Sequence, residues 1–147
     1  MKMPFIVWLF LGVPENIFLV YLALVLSKSK LNIKVIITFG VILSLSSYLI
    51  RLMPVTFGVH TIIAIGLLFF IVSKYGEVSI NKAIVVSIST ILILIIVETI
   101  STSTMIKILN VSSEVLSYDI RMRIIISLPY VILLFLIPYS INYFRKR

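Results

Sequence analysis

The sequence predicts an all-α polytopic membrane protein: a bundle of about five transmembrane helices with an external N-terminus and a cytoplasmic C-terminus. Three observations predict it. The first is composition. Hydrophobic residues make up 61% of the chain, charged residues only 12%, and the mean hydropathy is +1.25. Soluble domains are roughly 45–50% apolar and about 25% charged, so a soluble fold of 147 residues could not hide this much apolar surface. The second is segmentation into apolar runs of about 20 residues, the length that crosses a bilayer as a helix. The third is charge placement. The formal charge of +8 comes mainly from basic residues at the edges of those runs, the pattern of topology signals and headgroup contacts.

Residues 1–147 read as one integral membrane domain. The first helix covers residues 4–26, with a kink expected at Pro14. Its start resembles a signal peptide, with Lys2 ahead of an apolar stretch. Pro14, Glu15 and Asn16 follow with no small-residue cleavage pattern, so a retained helix is expected. The second helix covers residues 33–52 and the third 57–75, with Gly76 expected to close the third in a left-handed conformation. The fourth covers 81–105, with Asn81 as N-cap. The fifth covers 120–144 and holds Pro129 and Pro138, which membrane helices tolerate.

Between the last two helices lies the longest polar stretch, residues 107–119, expected to form an interfacial segment with a short helix. Asp119 and Arg123 are spaced as an i,i+4 pair. The isoleucine- and valine-rich runs are too long and too continuously apolar for barrel strands, which run about 9–11 residues and alternate.

Orientation follows from the basic residues. Lys28, Lys30, Lys34, Lys74, Lys82, Arg145, Lys146 and Arg147 fall on one side, against Lys2, Arg51, Lys107, Arg121 and Arg123 on the other. The richer side is cytoplasmic. Nucleic-acid binding is not expected, because no basic groove with interleaved aromatics is visible. The absence of cysteine excludes disulfides, thiolate metal sites and cysteine nucleophiles. With one histidine, no metal site is expected. No phosphate-binding loop and no hydrolase or metalloprotease motif appears, so neither an enzyme nor a cofactor is expected.

Ionisable groups in membrane helices cost at least about 2.5–3.5 kcal/mol near the centre, so they usually have a partner and often a role. Counting helical rise places Arg51, His60 and Glu98 in the outer half, with Glu15 nearer mid-membrane. Four such residues on four helices can meet in an outward-facing polar pocket, with Arg51 paired to Glu98 or Glu15. The competing reading is a buried ion pair that locks the bundle, or an Arg51 that snorkels to headgroups. Pro54 and Gly58 shape the turn between the second and third helices.

The segment Tyr48-Leu-Ile-Arg51-Leu-Met-Pro54-Val-Thr-Phe57-Gly58-Val-His60-Thr61 resembles a turn in the multi-helix membrane sensor region of bacterial histidine kinases. The kinases concerned are the peptide quorum-sensing receptors of Gram-positive bacteria. About a dozen residues carry the closer match, and the helical layout matches loosely. No phosphoacceptor histidine or nucleotide-binding box follows Arg145-Lys-Arg147, so the resemblance implies a detached sensor region, either a piece of a longer protein or a stand-alone regulator. It further implies a bacterial cytoplasmic membrane, an external peptide or small amphiphile as ligand, a cytoplasmic kinase or regulator as partner, and a homodimer. Signalling would pass through the last helix. Two other readings stand beside it: a small transporter or transporter subunit, suggested by Glu15 and Glu98 at depth, and a structural or membrane-active protein without a ligand.

Overall fold

The computed structural model describes residues 5–54 and 58–146. All regular structure among them is helical. Helix α1 spans Phe5–Leu26, α2 Ile33–Leu52, α3 Val59–Tyr75, α4 Ile80–Leu109, α5 Ser113–Tyr118 and α6 Ile120–Lys146. Helices α1, α2, α4 and α6 are long and apolar enough to cross a membrane, and α3 is a shorter apolar helix of 17 residues. At 1.5 Å per residue α3 is about 25 Å long, at the short end of spanning lengths. The described residues therefore form a multi-pass bundle of about five apolar helices, four of them long enough to span a membrane, plus the short α5. Residues 1–4, 55–57 and 147 lie outside the described residues, and with them the expected start of the third helix at Phe57.

α1 is the centre of the bundle. Half of its most apolar window is buried, against 17–28% for the other long spans. One face of α1 packs Val20, Ala23 and Leu24 against Leu43 of α2, Leu68 and Val72 of α3 and Ala83 of α4. Another packs Val7, Leu11 and Leu19 against Tyr130, Val131 and Leu134 of α6. The outer faces carry exposed large apolar residues such as Leu49, Leu92 and Ile132, as expected where lipid rather than protein covers the helix. Gly40 brings α2 onto α1: a Cβ placed there would lie 2.6 Å from the Cα of Ile17. Small residues allow this backbone approach between membrane helices.

The helix ends follow local chemistry, and several differ from expectation. In α1, a π-helical segment, Trp8–Gly12, lies just ahead of Pro14, and the Val13 N–H reaches back to the Trp8 carbonyl. Proline has no N–H to give the preceding turn, and the wider turn stands where a kink was expected. Gly76 does not adopt the left-handed conformation; its φ is −82°, and Glu77 takes the positive φ of 50° instead. The N-cap of α4 is Ser79, whose Oγ accepts from the Lys82 N–H at 3.4 Å, so Asn81 lies inside the helix.

α4 also runs past the expected end at Met105 to Leu109, because Ile106-Lys-Ile-Leu109 continues the apolar helix. Asn110 then stops it with φ of 51°, a conformation asparagine tolerates better than most residues. The polar stretch 107–119 is thereby shortened, and α5 is the short helix within it. Asp119 turns its carboxylate to the N–H groups of Arg121 and Met122, at 3.1 and 3.4 Å. It caps α6, while Arg123 lines the cavity described below.

The end of the bundle that holds the C-terminus of α1 is tied by polar contacts. Arg145 of α6 donates to the Val25 carbonyl at 2.8 Å, a cation on a helix C-terminus. Ser29 donates to the Gly76 carbonyl at 3.3 Å and is hydrogen-bonded to Ser27.

Candidate functional site: a polar cavity at one end of the bundle

At the opposite end α2 stops and α3 starts. Pro54 disfavours helix in the residue before it, and Met53 is extended, with φ −87° and ψ 148°. This ends α2 directly after Arg51 and Leu52. α3 begins after Gly58, whose φ of +98° suits glycine and strains other residues. Arg51 thus sits in the last turn of α2 and His60 in the first turn of α3.

Beside these two helix ends lies a cavity of about 220 Å³. Its lining includes all four ionisable residues singled out from the sequence: Glu15, Arg51, His60 and Glu98. Arg51 acts electrostatically on each of the other three. Arg51 and Glu98 are exposed, His60 and Glu15 partly buried. Arg51 and Glu98 both stand roughly 27 Å along their helices from the far end of the bundle, while Glu15 stands roughly 16 Å from it. Glu15 is therefore the deeper carboxylate.

Sequence reasoning missed Arg123 and Tyr130 of α6. The Tyr130 hydroxyl donates to Oε2 of Glu15 at 2.7 Å, and its ring is buried. Arg123, Ser127 and Tyr130 all line the cavity, and their spacing of four and three residues puts them on one helical face. The same spacing joins Ser47 to Arg51 on α2. Asn16 lines the cavity too and is buried, with its side-chain nitrogen donating to the Gly12 carbonyl at 2.6 Å. That carbonyl belongs to the π-helical segment of α1, and such segments recur at functional sites.

Other polar residues are placed differently. Ser46 and Thr104 bond back to the carbonyls of Ile42 and Ile100. The Ser44 carbonyl accepts from Trp8 Nε1 at 3.1 Å, which fastens α2 to α1. Ser101 and Thr104 border an apolar groove against Pro129 rather than the polar cavity. Among the described residues no group of three or more His, Cys, Asp or Glu could hold a metal ion.

The cavity joins two guanidinium groups, an imidazole, two carboxyl groups and a phenol, with Ile91, Leu94 and Ala64 as apolar wall. Such a mixed lining can hold a ligand that has both charged and apolar parts. No protein-family model, no curated protein and no solved structure matches the chain.

Proposed function

We propose that this protein is a membrane-embedded sensor or regulatory module of a bacterial cytoplasmic membrane. It takes the polar end of a small amphiphile or peptide into the cavity and passes occupancy through α6 to a cytoplasmic partner. The observation that carries the reading is the convergence of Glu15, Arg51, His60 and Glu98, from four helices, on one cavity. The size of the cavity supports a headgroup or the end of a chain, not a whole peptide, since drug-sized ligands occupy roughly 300–1,000 Å³. The basic residues at the opposite end support an outward-facing cavity.

The chain has no cysteine, which makes a direct test available. Ser127→Cys places a thiol in the cavity wall. A membrane-impermeant maleimide added outside intact cells is expected to label it, and labelling only from the cytoplasmic face would refute outward sensing. Spin labels at Lys28→Cys and Lys146→Cys then read the ends of α1 and α6. In a second preparation, replacing Ser127 with Trp to fill the cavity is expected to shift their distance distribution. An unchanged distribution would refute transmission through α6.

A second reading, a small transporter, is favoured by one observation. The π-helical segment interrupts α1 within a turn of the deep Glu15, and broken helices beside charged groups mark many transport sites. Solute flux into proteoliposomes separates the two readings: flux that Glu15→Gln abolishes would support transport.

A further inference from the structure

The charges of the cavity are sorted by depth. By helical rise, two guanidinium groups, Arg51 and Arg123, stand with Glu98 nearer that end of the bundle than Glu15 does, which makes theirs the mouth of the cavity. Arg123 lies two helical turns, roughly 10 Å, above Tyr130 on the same helix, and Tyr130 marks the level of Glu15 through their hydrogen bond. Two arginines and one glutamate give the mouth a formal +1, and the single glutamate gives the floor −1. The wall at the floor is apolar, formed by Ile91, Leu94 and Ala64, with Leu19 one turn of α1 beyond Glu15.

A lone ion entering this cavity would leave an unbalanced charge in a low-dielectric setting, which is costly. A ligand carrying both signs leaves the sum at zero. Its cationic group belongs at the floor, where a carboxylate offers several acceptor positions and Tyr130 occupies only one oxygen. Its anionic group belongs at the mouth, where guanidinium groups can grip a carboxylate or phosphate through two bonds.

We infer that the ligand is a small amino zwitterion with an apolar portion, its ammonium inward on Glu15, its anion outward on Arg51 and Arg123, and its apolar portion against Ile91 and Leu94. The inference rests on the cavity being the ligand site of the proposed sensor and adds the chemical class. The volume fits one such unit. Neighbouring ammonium and anionic groups occur in free amino acids and also in ethanolamine phospholipid headgroups, so the two sources must be told apart.

The test uses the full chain in phosphatidylcholine nanodiscs, with leucine, N-acetylleucine and leucinamide as calorimetric probes. Leucine is expected to bind saturably, and loss of either charge to weaken binding at least tenfold. Glu15→Gln is expected to weaken leucine at least tenfold but not to weaken N-acetylleucine, which has no ammonium. Discs containing phosphatidylethanolamine distinguish the sources: competition with leucine supports the inference with the headgroup as native ligand, and unchanged leucine binding supports it with a soluble one. N-acetylleucine binding as tightly as leucine, or no binding of any probe, overturns the inference. If that happens while Ser127→Cys is still labelled from outside, the outward cavity stands and only the ligand class falls. Loss of outside labelling removes the sensor reading beneath it.

Discussion

Gly40 offers the sharpest test of the packing that holds the cavity walls in place. In Gly40→Ala the new Cβ would lie 2.6 Å from both Cα and Cγ1 of Ile17, where ordinary contacts start at 3.4 Å. The side-chain atom can rotate away, but the backbone Cα cannot. Relief therefore needs α1 and α2 to separate by about 1 Å, and overpacking of this kind costs about 1–3 kcal/mol. Alanine also returns up to about 1 kcal/mol of helix propensity relative to glycine, which masks part of that cost.

Gly66 removes the ambiguity, because a Cβ there meets nothing within 4 Å. Gly66→Ala reports the propensity gain alone, and the difference between the two variants isolates the steric term. A reversible SDS titration in mixed micelles is expected to show Gly40→Ala less stable than Gly66→Ala by roughly 1–3 kcal/mol. Equal stabilities within about 0.5 kcal/mol would mean that α1 and α2 do not meet backbone to backbone at Gly40.

Tyr130→Phe keeps the ring and removes the donor to Glu15; the same titration is expected to show a loss of about 0.6–1.7 kcal/mol, and wild-type stability would refute the bond at that site. Asp119→Ala strips the cap from α6 and is expected to cost about 0.5–2 kcal/mol, with faster hydrogen exchange at the Arg121 and Met122 amides, while unchanged exchange would place the carboxylate elsewhere. Pro129→Ala supplies an N–H where α6 lacks one beside Tyr130, so the Ile125 carbonyl gains a partner. The variant is expected to exchange amide hydrogens more slowly around residues 125–130, and unaltered exchange would show that the proline does not loosen the helix there.

The membrane bundle was legible from the sequence because run length and composition act locally. Twenty apolar residues must become a helix in lipid, whatever their neighbours. The depths of Arg51, His60 and Glu98 near one end, and of Glu15 further in, were legible for the same reason, since helical rise is fixed. Rotation about each helix axis was not, because it depends on which faces pack. A signal for it was nevertheless present. Arg123, Ser127 and Tyr130 share one face, as do Ser47 and Arg51, and these are the faces turned to the cavity. Applying helical period to polar residues as well as apolar ones would have found Tyr130.

The helix ends were the least legible, because single side chains decide them. Ser79 displaces Asn81 as a cap because its hydroxyl meets an amide three residues on. Asp119 and Arg123 have ion-pair spacing, yet the unpaired amides at the start of α6 claim the carboxylate. A helix N-terminus offers several unsatisfied donors, whereas an exposed ion pair contributes only about 0–1 kcal/mol. The cap therefore wins, and Arg123 remains available to the cavity wall.

That outcome bears on how α6 can serve the proposed reading. One face of α6 carries Arg123 and Tyr130 into the cavity, and Tyr130 also belongs to the core shared with α1. The far end of α6 is fastened to α1 again by Arg145 on the Val25 carbonyl. The two helices are thus joined at the cavity and at the opposite end of the bundle, with Pro138 between the joints and Pro129 just ahead of the first. A rigid helix held at both ends could only slide as a whole, against all of its packing. A helix that lacks a backbone hydrogen bond at Pro138 can bend between the joints instead. A ligand that shifts Glu15 and the Tyr130 bonded to it would then load the Arg145 contact without dismantling the core, and that contact is where a cytoplasmic partner could read the change.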